Sequence, residues 1–528
     1  MVSRRFAVID AETDPFQFGR VPRPFVWGYY DGEIYLHFDT TEDLVEYIGD
    51  IDQIVFAHNG GKFDFHFLLD HVEDYDELMI VNGRVAKMNI GAAELRDSWL
   101  ILPVPLRAYE KDDIDYAIME ESERNKPANR AKILAYLRSD CVYLYDLIAR
   151  FVEEYGLNLT QAGSSMKQWR KIAPLPMPVT DQEFYETFSP YYYGGRVQCF
   201  EKGIINKQFS VFDINSAYPF AMLHRHPYSS NFASYVGFKP AADFYRIVCS
   251  SRGALPFRDI RSGRLDFPDD GEIREYTVTG WEYQAAIDTH ALSDVRVLES
   301  IVFCSHVDFA EYVKPLFALR DAAKEKGDKA GSLLYKLAMN SLYGKFAANP
   351  DNYKHYMVCP MSYADQLPTV GWQFAGQFGS RALAEAPLAE NERHYYNVAT
   401  GASITGFVRA MLWRAIHGAK RVIYCDTDSI ACVGPSRDMM LSDALGAWKH
   451  EGDFDRAGIA GKKLYIFRGV KDAKGKREYK MAAKGVRLTK SQLWQVASGK
   501  RVVYNSQAPT FSVRGSPSFV SRAVQLTS

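Results

Sequence analysis

Several features are scarce in this 528-residue sequence. No apolar run is long enough to span a bilayer, so a helical membrane anchor is not expected. The seven cysteines (Cys141, Cys199, Cys249, Cys304, Cys359, Cys425 and Cys432) are scattered, with no Cys-x-x-Cys pair. Neither a disulfide framework nor a zinc module is expected, and a reducing cytosol fits best. There are no internal repeats and no low-complexity tracts. Arg4 and Arg5 precede a short strand-like run ending at Asp10, which reads as a strand and not as a signal peptide. Net charge is also small, at −2.

That near-neutrality hides an asymmetry. Residues 1–150 hold 16 Lys+Arg against 28 Asp+Glu, a balance of −12. Residues 461–528 hold 15 against 2, a balance of +13. An acidic front suits metal chemistry and a basic tail suits phosphate contact. Aromatic residues are plentiful at 14%, which serves stacking on bases as well as large cores. A chain of this length exceeds one core, so three or more compact units are expected.

Apolar–polar alternation predicts a strand over residues 4–12, with Asp10 and Glu12 on one face at its end. Strands are also predicted over 26–38, 51–57 and 208–214. Residues 131–155 carry one apolar stripe and predict a helix. Pro174, Pro176 and Pro178 mark a linker. Residues 225–310 are a mixed stretch without clear periodicity. A helical region is predicted over 308–346 with a break near Gly327, then an irregular stretch over 349–395 and a helix over 398–418. The end of the chain predicts short basic strands and one helix near 489–498.

The most informative residues are Tyr424-Cys425-Asp426-Thr427-Asp428-Ser429, between two short apolar runs. They predict a hairpin that presents two carboxylates at its tip. Acids held that close repel unless a cation lies between them, and Mg²⁺ prefers carboxylate and phosphate oxygens. Acid-x-acid spacing alone is weak, since it recurs at Asp10/Glu12, Asp50/Asp52, Asp74/Asp76, Asp113/Asp115 and Asp453/Asp455. Two further segments give it context. Asp213-Ile214-Asn215-Ser216-Ala217-Tyr218-Pro219 follows an apolar strand and offers a third acid, with Pro219 expected to stop the strand. Lys336, Asn340 and Tyr343 fall at i, i+4 and i+7, one face of a helix that Gly344 is expected to end. That face offers an ammonium for triphosphate charge and a ring for a base pair, and Lys324 lies twelve residues earlier.

In this order the three segments resemble motifs A, B and C of family B DNA polymerases, in the protein-primed bacteriophage (phi29-like) branch. The resemblance implies a replicative, two-metal nucleotidyl transferase. It makes Asp213 and Asp428 the main metal ligands, with Asp426 assisting and the Ile214 carbonyl contributing. Tyr218 becomes the sugar gate, and Lys324, Lys336, Asn340 and Tyr343 the surroundings of the incoming nucleotide. Ser216, Gly344 and Thr427 are expected at the DNA. Lys463-Leu464-Tyr465 resembles the Lys-x-Tyr motif that holds the primer terminus. Tyr192-Tyr193-Gly194-Gly195 resembles the Tyr-x-Gly-Gly linker, whose glycines let backbone approach the template.

A second constellation occupies the front third. Asp10-Ala11-Glu12-Thr13, His58-Asn59-Gly60-Gly61-Lys62-Phe63-Asp64 and Tyr136-Leu137-Arg138-Ser139-Asp140 resemble the three 3′–5′ exonuclease motifs of these enzymes. Asp10, Glu12, Asp64 and Asp140 would hold two ions, and Tyr136 would orient a water. Lys111 matches a catalytic lysine, and Asp113 is expected to assist with metal. Thr13, His58, Asn59, Phe63 and Ser98 match positions that hold a single-stranded 3′ end.

The implied fold class is mixed α/β and multidomain. An RNase H-like exonuclease domain (1–155) is followed by a linker (156–190) and a right-hand polymerase. That polymerase comprises palm (191–224 and 396–485), fingers (311–348) and thumb (486–528). Residues 225–310 and 349–395 sit where the branch carries its two terminal-protein regions. The implied partners are template and primer DNA, dNTPs and a terminal protein whose hydroxyl starts synthesis, with Mg²⁺ or Mn²⁺ as cofactor. A monomer without membrane association is expected, encoded by a phage or linear plasmid and working with strand displacement in the bacterial cytoplasm. The alternatives are the same polymerase without protein priming, and a silent DNA-binding homologue.

Overall fold

The computed structural model of the chain describes residues 6–109, 113–259, 261–472 and 474–526. Its front is a ten-stranded sheet around Phe6–Thr13, which pairs antiparallel with Pro24–Tyr30 and parallel with Ile54–Ala57. Ala7, Val8 and Ile9 are fully buried, because both faces of this strand are covered. Helix Pro127–Tyr155 packs one face and starts four residues earlier than the apolar stripe indicates, at a proline whose fixed φ suits a first helical turn. The strand expected over 26–38 is a hairpin, Pro24–Tyr30 and Tyr35–Phe38, turned at Gly32 (φ +99°).

The stretch 349–395 is not irregular. Lys354–Cys359 pairs with Glu77–Val81 of the front sheet, Tyr356 opposite Leu78, and Arg381–Pro387 and Gln373–Phe378 extend the sheet outward. The alternation was hidden by the alanines of Arg381–Pro387, which are buried but weakly strand-forming. Residues 225–310 likewise hold a four-stranded sheet, in the order Phe232–Val236, Leu292–Phe303, Phe244–Ser251, Ile273–Thr279. Helix Gly280–Asp288 follows, opened by a Thr279/Glu282 capping box.

The second large sheet has eight strands. Phe209–Ile214 lies at its middle, between Ser429–Val433 and Trp448–Gly461; Arg421–Thr427 and Arg196–Cys199 continue on one side. Helix Val398–Gly418 packs against it and is buried over most of its length, which fits its many small and apolar residues. Helices Ala310–Glu325 and Lys329–Phe346 form an antiparallel pair broken at Gly327 (φ +72°). Gly344 does not end the second helix, which continues to Phe346. Nor does Pro219 stop the strand. The strand ends at Ile214, Ser216 turns left-handed (φ +53°), and Pro219 sits in the short helix Ala217–Ala221.

The end of the basic tail forms helix Lys490–Ala497 and two two-stranded sheets, the hairpin Thr510–Ser512/Gly515–Ser518 nested between the paired strands Val502–Asn505 and Ser521–Val524. The nested hairpin reaches back to the front of the molecule. Phe511 packs against Phe63, His66 and Phe67, and Arg514 pairs with Glu385 at 2.6 Å. Among the described residues no helix is long and apolar enough to cross a membrane.

Candidate active sites

The central sheet brings the three predicted acids of the back half together. Asp213 and Asp426 both lie opposite Ser429 in the ladder. At the hairpin tip Thr427 turns left-handed (φ +63°), and the Asp428 N–H donates to the Asp426 carbonyl at 2.7 Å. The Ile214 N–H then donates to the Asp428 carbonyl at 2.9 Å, which clips the tip to the end of the Asp213 strand. Strand pairing alone therefore sets Asp213 beside Asp428.

The carboxylates differ in their surroundings. Asp426 accepts from Lys463 Nζ at 2.6 Å, Thr427 Oγ1 at 3.0 Å and the Tyr424 hydroxyl at 3.4 Å. Asp428 is pushed up to about 7 by burial and by the facing Asp213. Asp213 is raised by burial and by Glu451, against the opposing pull of Lys480, Lys336 and Lys449. Neither Asp213 nor Asp428 takes part in an ion pair among the described residues. Two half-buried like charges with lysines nearby but no direct ion-pair partner among the described residues are a donor set that a hard divalent cation fits.

Above this pair stands the helix Lys329–Phe346. Lys336 acts electrostatically on both Asp213 and Asp428. Tyr343 stacks on Tyr218, with ring centres 4.3 Å apart and planes 12° from parallel. Asn340 donates to the Lys336 carbonyl at 2.8 Å. Lys324 is exposed and bonds to Asp321 at 2.8 Å. Arg320, one turn before Lys324, donates to Ser216 Oγ at 2.7 Å.

The glycine pair lies beneath the hairpin. A Cβ on Gly195 would fall 2.7 Å from Thr427 Cγ2, so only glycine permits this approach. Gly194 meets no such crowding, but its carbonyl accepts from Arg409 at 3.0 Å, and the Tyr193 carbonyl accepts from the same group. The Tyr192 carbonyl accepts from Arg258 at 3.2 Å. Lys463 occupies a left-handed turn (φ +57°), and Tyr465 packs on Tyr424 and Phe467.

The front sheet builds a second acidic cluster. Asp10 and Glu12 project from one face of Phe6–Thr13, and helix Pro127–Tyr155 adds Asp140. One carboxylate oxygen of each lies within 4.8 Å of the others. Asp64 is buried, receives the Ala11 N–H, and is held far above the usual carboxylate range by burial and by Asp10. These donors too suit divalent cations. Tyr136, one turn from Asp140, shares a 3.4 Å hydroxyl contact with Tyr116, and burial raises its phenol.

Around this cluster His58 bonds Ser98 Oγ at 3.1 Å and the Val104 carbonyl at 3.0 Å. Asn59 is left-handed (φ +62°), and Thr13 Oγ1 donates to the Asp14 carbonyl at 3.2 Å. Phe63 meets Phe16 and Phe511 edge-on. Asp113 is exposed and outside the clustered three. Lys111 lies outside the described residues.

Several supporting residues escaped the motif reading. Asp97 pairs with Arg84 and accepts from the N–H groups of Gly61 and Trp99, fixing the loop before Asp64. Arg409 pairs with Glu282 at 2.6 Å, both side chains nearly inaccessible. The available signal for Arg409 was an arginine on the inward, small-residue-rich part of helix Val398–Gly418, whereas Arg414 of the same helix is exposed and pairs with Asp288. Arg84 and Asp97 gave none, because they meet only through strand pairing.

Comparison with known proteins agrees with this geometry. A family model described as DNA polymerase type B, organellar and viral, matches residues 103–369. The DNA-directed DNA polymerase of Enterobacteria phage PRD1 is 36% identical, in an alignment covering 100% of this chain and 99% of that protein. The DNA polymerase of Bacillus phage phi29 is 25% identical over 70% of the chain and 66% of its own length. Among solved structures, phi29 DNA polymerase complexed with primer-template DNA and incoming nucleotides superimposes with a TM-score of 0.76 at 19% identity. That match covers 99% of this chain and all of the other. Phi29 DNA polymerase with single-stranded DNA gives 0.73 at 20% identity.

Proposed function

The chain belongs to the organellar and viral type B DNA polymerases and is a DNA-directed DNA polymerase; on that premise we propose that it carries two separate metal-dependent sites, one that extends a primer and one that proofreads it. The observation that carries the reading is the approach of Asp213 and Asp428 at one end of the central sheet, beside Lys336 and the Tyr218–Tyr343 stack. Asp213 lies opposite Ser429, and the Ile214 N–H is bonded to the Asp428 carbonyl.

In the polymerising site Asp213, Asp428 and the Ile214 carbonyl would hold the cations, and Asp426, already tied to Lys463, assists. Divalent cations bound there supply the charge neutralisation and oxygen activation of two-metal phosphoryl transfer. Lys336 meets the triphosphate, with Lys324 joining it after leaving Asp321. Tyr218 lies flat against Tyr343, so a ribose 2′-hydroxyl would have to displace a packed ring. Asn340, Ser216, Gly344, Thr427, Tyr192, Gly194, Gly195 and Tyr465 line the path of the nucleotide and DNA, and Lys463 orients the primer end.

In the proofreading site Asp10, Glu12, Asp64 and Asp140 are the metal ligands, with Asp113 and Lys111 in support, and Tyr136 orients the attacking water. Thr13, His58, Asn59, Phe63 and Ser98 hold the frayed strand. Mg²⁺ is the natural cation, with Mn²⁺ able to substitute.

The partition into exonuclease, palm, fingers, thumb and two insertions follows the sequence boundaries given above. Support for a ring around DNA comes from residues 354–387, which extend the front sheet and meet the tail through Arg514. Protein priming, strand displacement, a monomeric state and a phage or linear-plasmid origin complete the proposal; the similar proteins include phage polymerases.

Extension of one primer on a single-stranded circle, with Mg²⁺ and dNTPs, tests the reading. Products longer than the circle, absent in Asp428→Ala, are expected. Products that stop at one circle would remove strand displacement. Signal without primer would replace protein priming by self-initiation. No product at all would favour a DNA-binding homologue.

A further inference from the structure

Arg196 directly follows the glycine pair and starts the edge strand Arg196–Cys199. It lies opposite Thr427, and Val197 opposite Asp426, so this strand is the immediate neighbour of the carboxylate hairpin. Its side chain is buried, the whole residue being 1% exposed. Among the described residues it makes no ion pair, which is an expensive state for a buried cation.

What surrounds it comes from three parts of the chain. The Phe267 ring centre lies 4.2 Å from the guanidinium carbon, Trp413 at 5.3 Å and Phe200 at 5.7 Å. Nη1 donates to the Gly253 carbonyl at 2.8 Å, and Nε donates to Gln198 Oε1 at 3.0 Å. Gly253 and Phe267 belong to the 225–310 insertion, Trp413 to helix Val398–Gly418, and Gln198 to the edge strand itself, opposite Cys425. Burial lowers the guanidinium to about 10, so it stays charged at neutral pH.

A packing role alone would not need this charge, because an unbranched apolar side chain fills the same slot at lower cost. The arginine adds a tether. One end fixes the backbone of the insertion, and the other fixes the strand on which the hairpin is aligned.

We propose that Arg196 is a positioning residue for nucleotidyl transfer, which ties the 225–310 insertion to the hairpin carrying Asp426 and Asp428. The inference rests on the reading of that hairpin as the polymerising site. Arg196 touches neither substrate nor carboxylate. It sets the register of the edge strand, and displacements near 1 Å at a reacting centre cost on the order of 100-fold in rate.

The test is single-turnover nucleotide incorporation by full-length Arg196→Met on a preformed primer-template. Degradation of a single-stranded oligonucleotide by the same preparation serves as the control. The expected result is a maximal incorporation rate lowered about 10- to 100-fold, a dNTP dissociation constant within about twofold of the parent, and unchanged degradation. An incorporation rate within about twofold of the parent would overturn the proposal. Should Arg196→Met fail to fold, Phe267→Leu decides, since it keeps the guanidinium and its hydrogen bonds but removes the insertion's ring face. It should show the same split with a smaller loss, and an equal fall of both activities would overturn the proposal. Asp428→Asn separates the two readings, because full incorporation by that variant would refute the site assignment itself.

Discussion

Asp426 and Asp428 are two residues apart, yet their electrostatic situations are opposite. Asp426 is neutralised by Lys463 in the chain itself, whereas Asp428 faces Asp213 away from solvent and is pushed up to about 7. Because the folded state raises this carboxyl above its unfolded value of about 4, the native protein binds more protons than the unfolded chain between about pH 4 and 7. Its contribution to stability is therefore present at low pH and lost as pH rises through that window. In EDTA at pH 8, Asp428→Asn should be more stable than the parent by a few kcal/mol at most, since each tenfold change in proton affinity is worth about 1.4 kcal/mol. The difference should vanish toward pH 4. Urea unfolding of both proteins at the two pH values checks this. Equal pH dependence would show that the carboxylate is not strained. A second residue-scale prediction concerns Gly195, where Gly195→Ala places a methyl against Thr427 and should impair extension at least about 10-fold while leaving single-strand degradation intact.

At the scale of elements, what could be read in advance depended on sequence distance. The hairpin Arg421–Thr427/Ser429–Val433 and the helix pair on either side of Gly327 were legible because their signals are local: an apolar run, a turn, a second apolar run. The strands of 225–310 and 349–395 were not, because Tyr356 finds its partner at Leu78, far away in the chain, and buried alanines leave no alternation. Gly344 misled for a related reason. Glycine often follows a helix, but here tertiary packing of Leu342 and Phe346 carries the helix past it. The buried Arg409–Glu282 pair shows the energetic side of such long-range contacts. Removing one partner leaves a buried charge alone, so Arg409→Met should cost about 3–5 kcal/mol in denaturation experiments. The double variant Arg409→Met/Glu282→Gln should recover part of that loss, and additive losses would refute the coupling.

On the scale of the whole molecule, residues 354–387 join the front sheet on one side and meet Arg514 of the basic tail on the other. If this connection encloses the DNA, replacing 354–387 by a short linker should leave primer extension on single-stranded template but shorten products made per binding event about 10-fold or more. Product length under a DNA trap measures it, and unchanged length would detach this element from processivity. The same view separates the two acidic clusters, one on the front sheet and one on the central sheet, each with its own carboxylates.

That separation is the centre of the account, and one crossed measurement tests it. Primer extension and single-strand degradation are measured on matched preparations of the parent, Asp428→Ala and Asp10→Ala/Glu12→Ala, with folding checked by circular dichroism. Asp428→Ala should lose extension by at least about a thousandfold and keep degradation, and the front-sheet variant should do the reverse. Loss of both activities from either folded variant would contradict the existence of two independent sites.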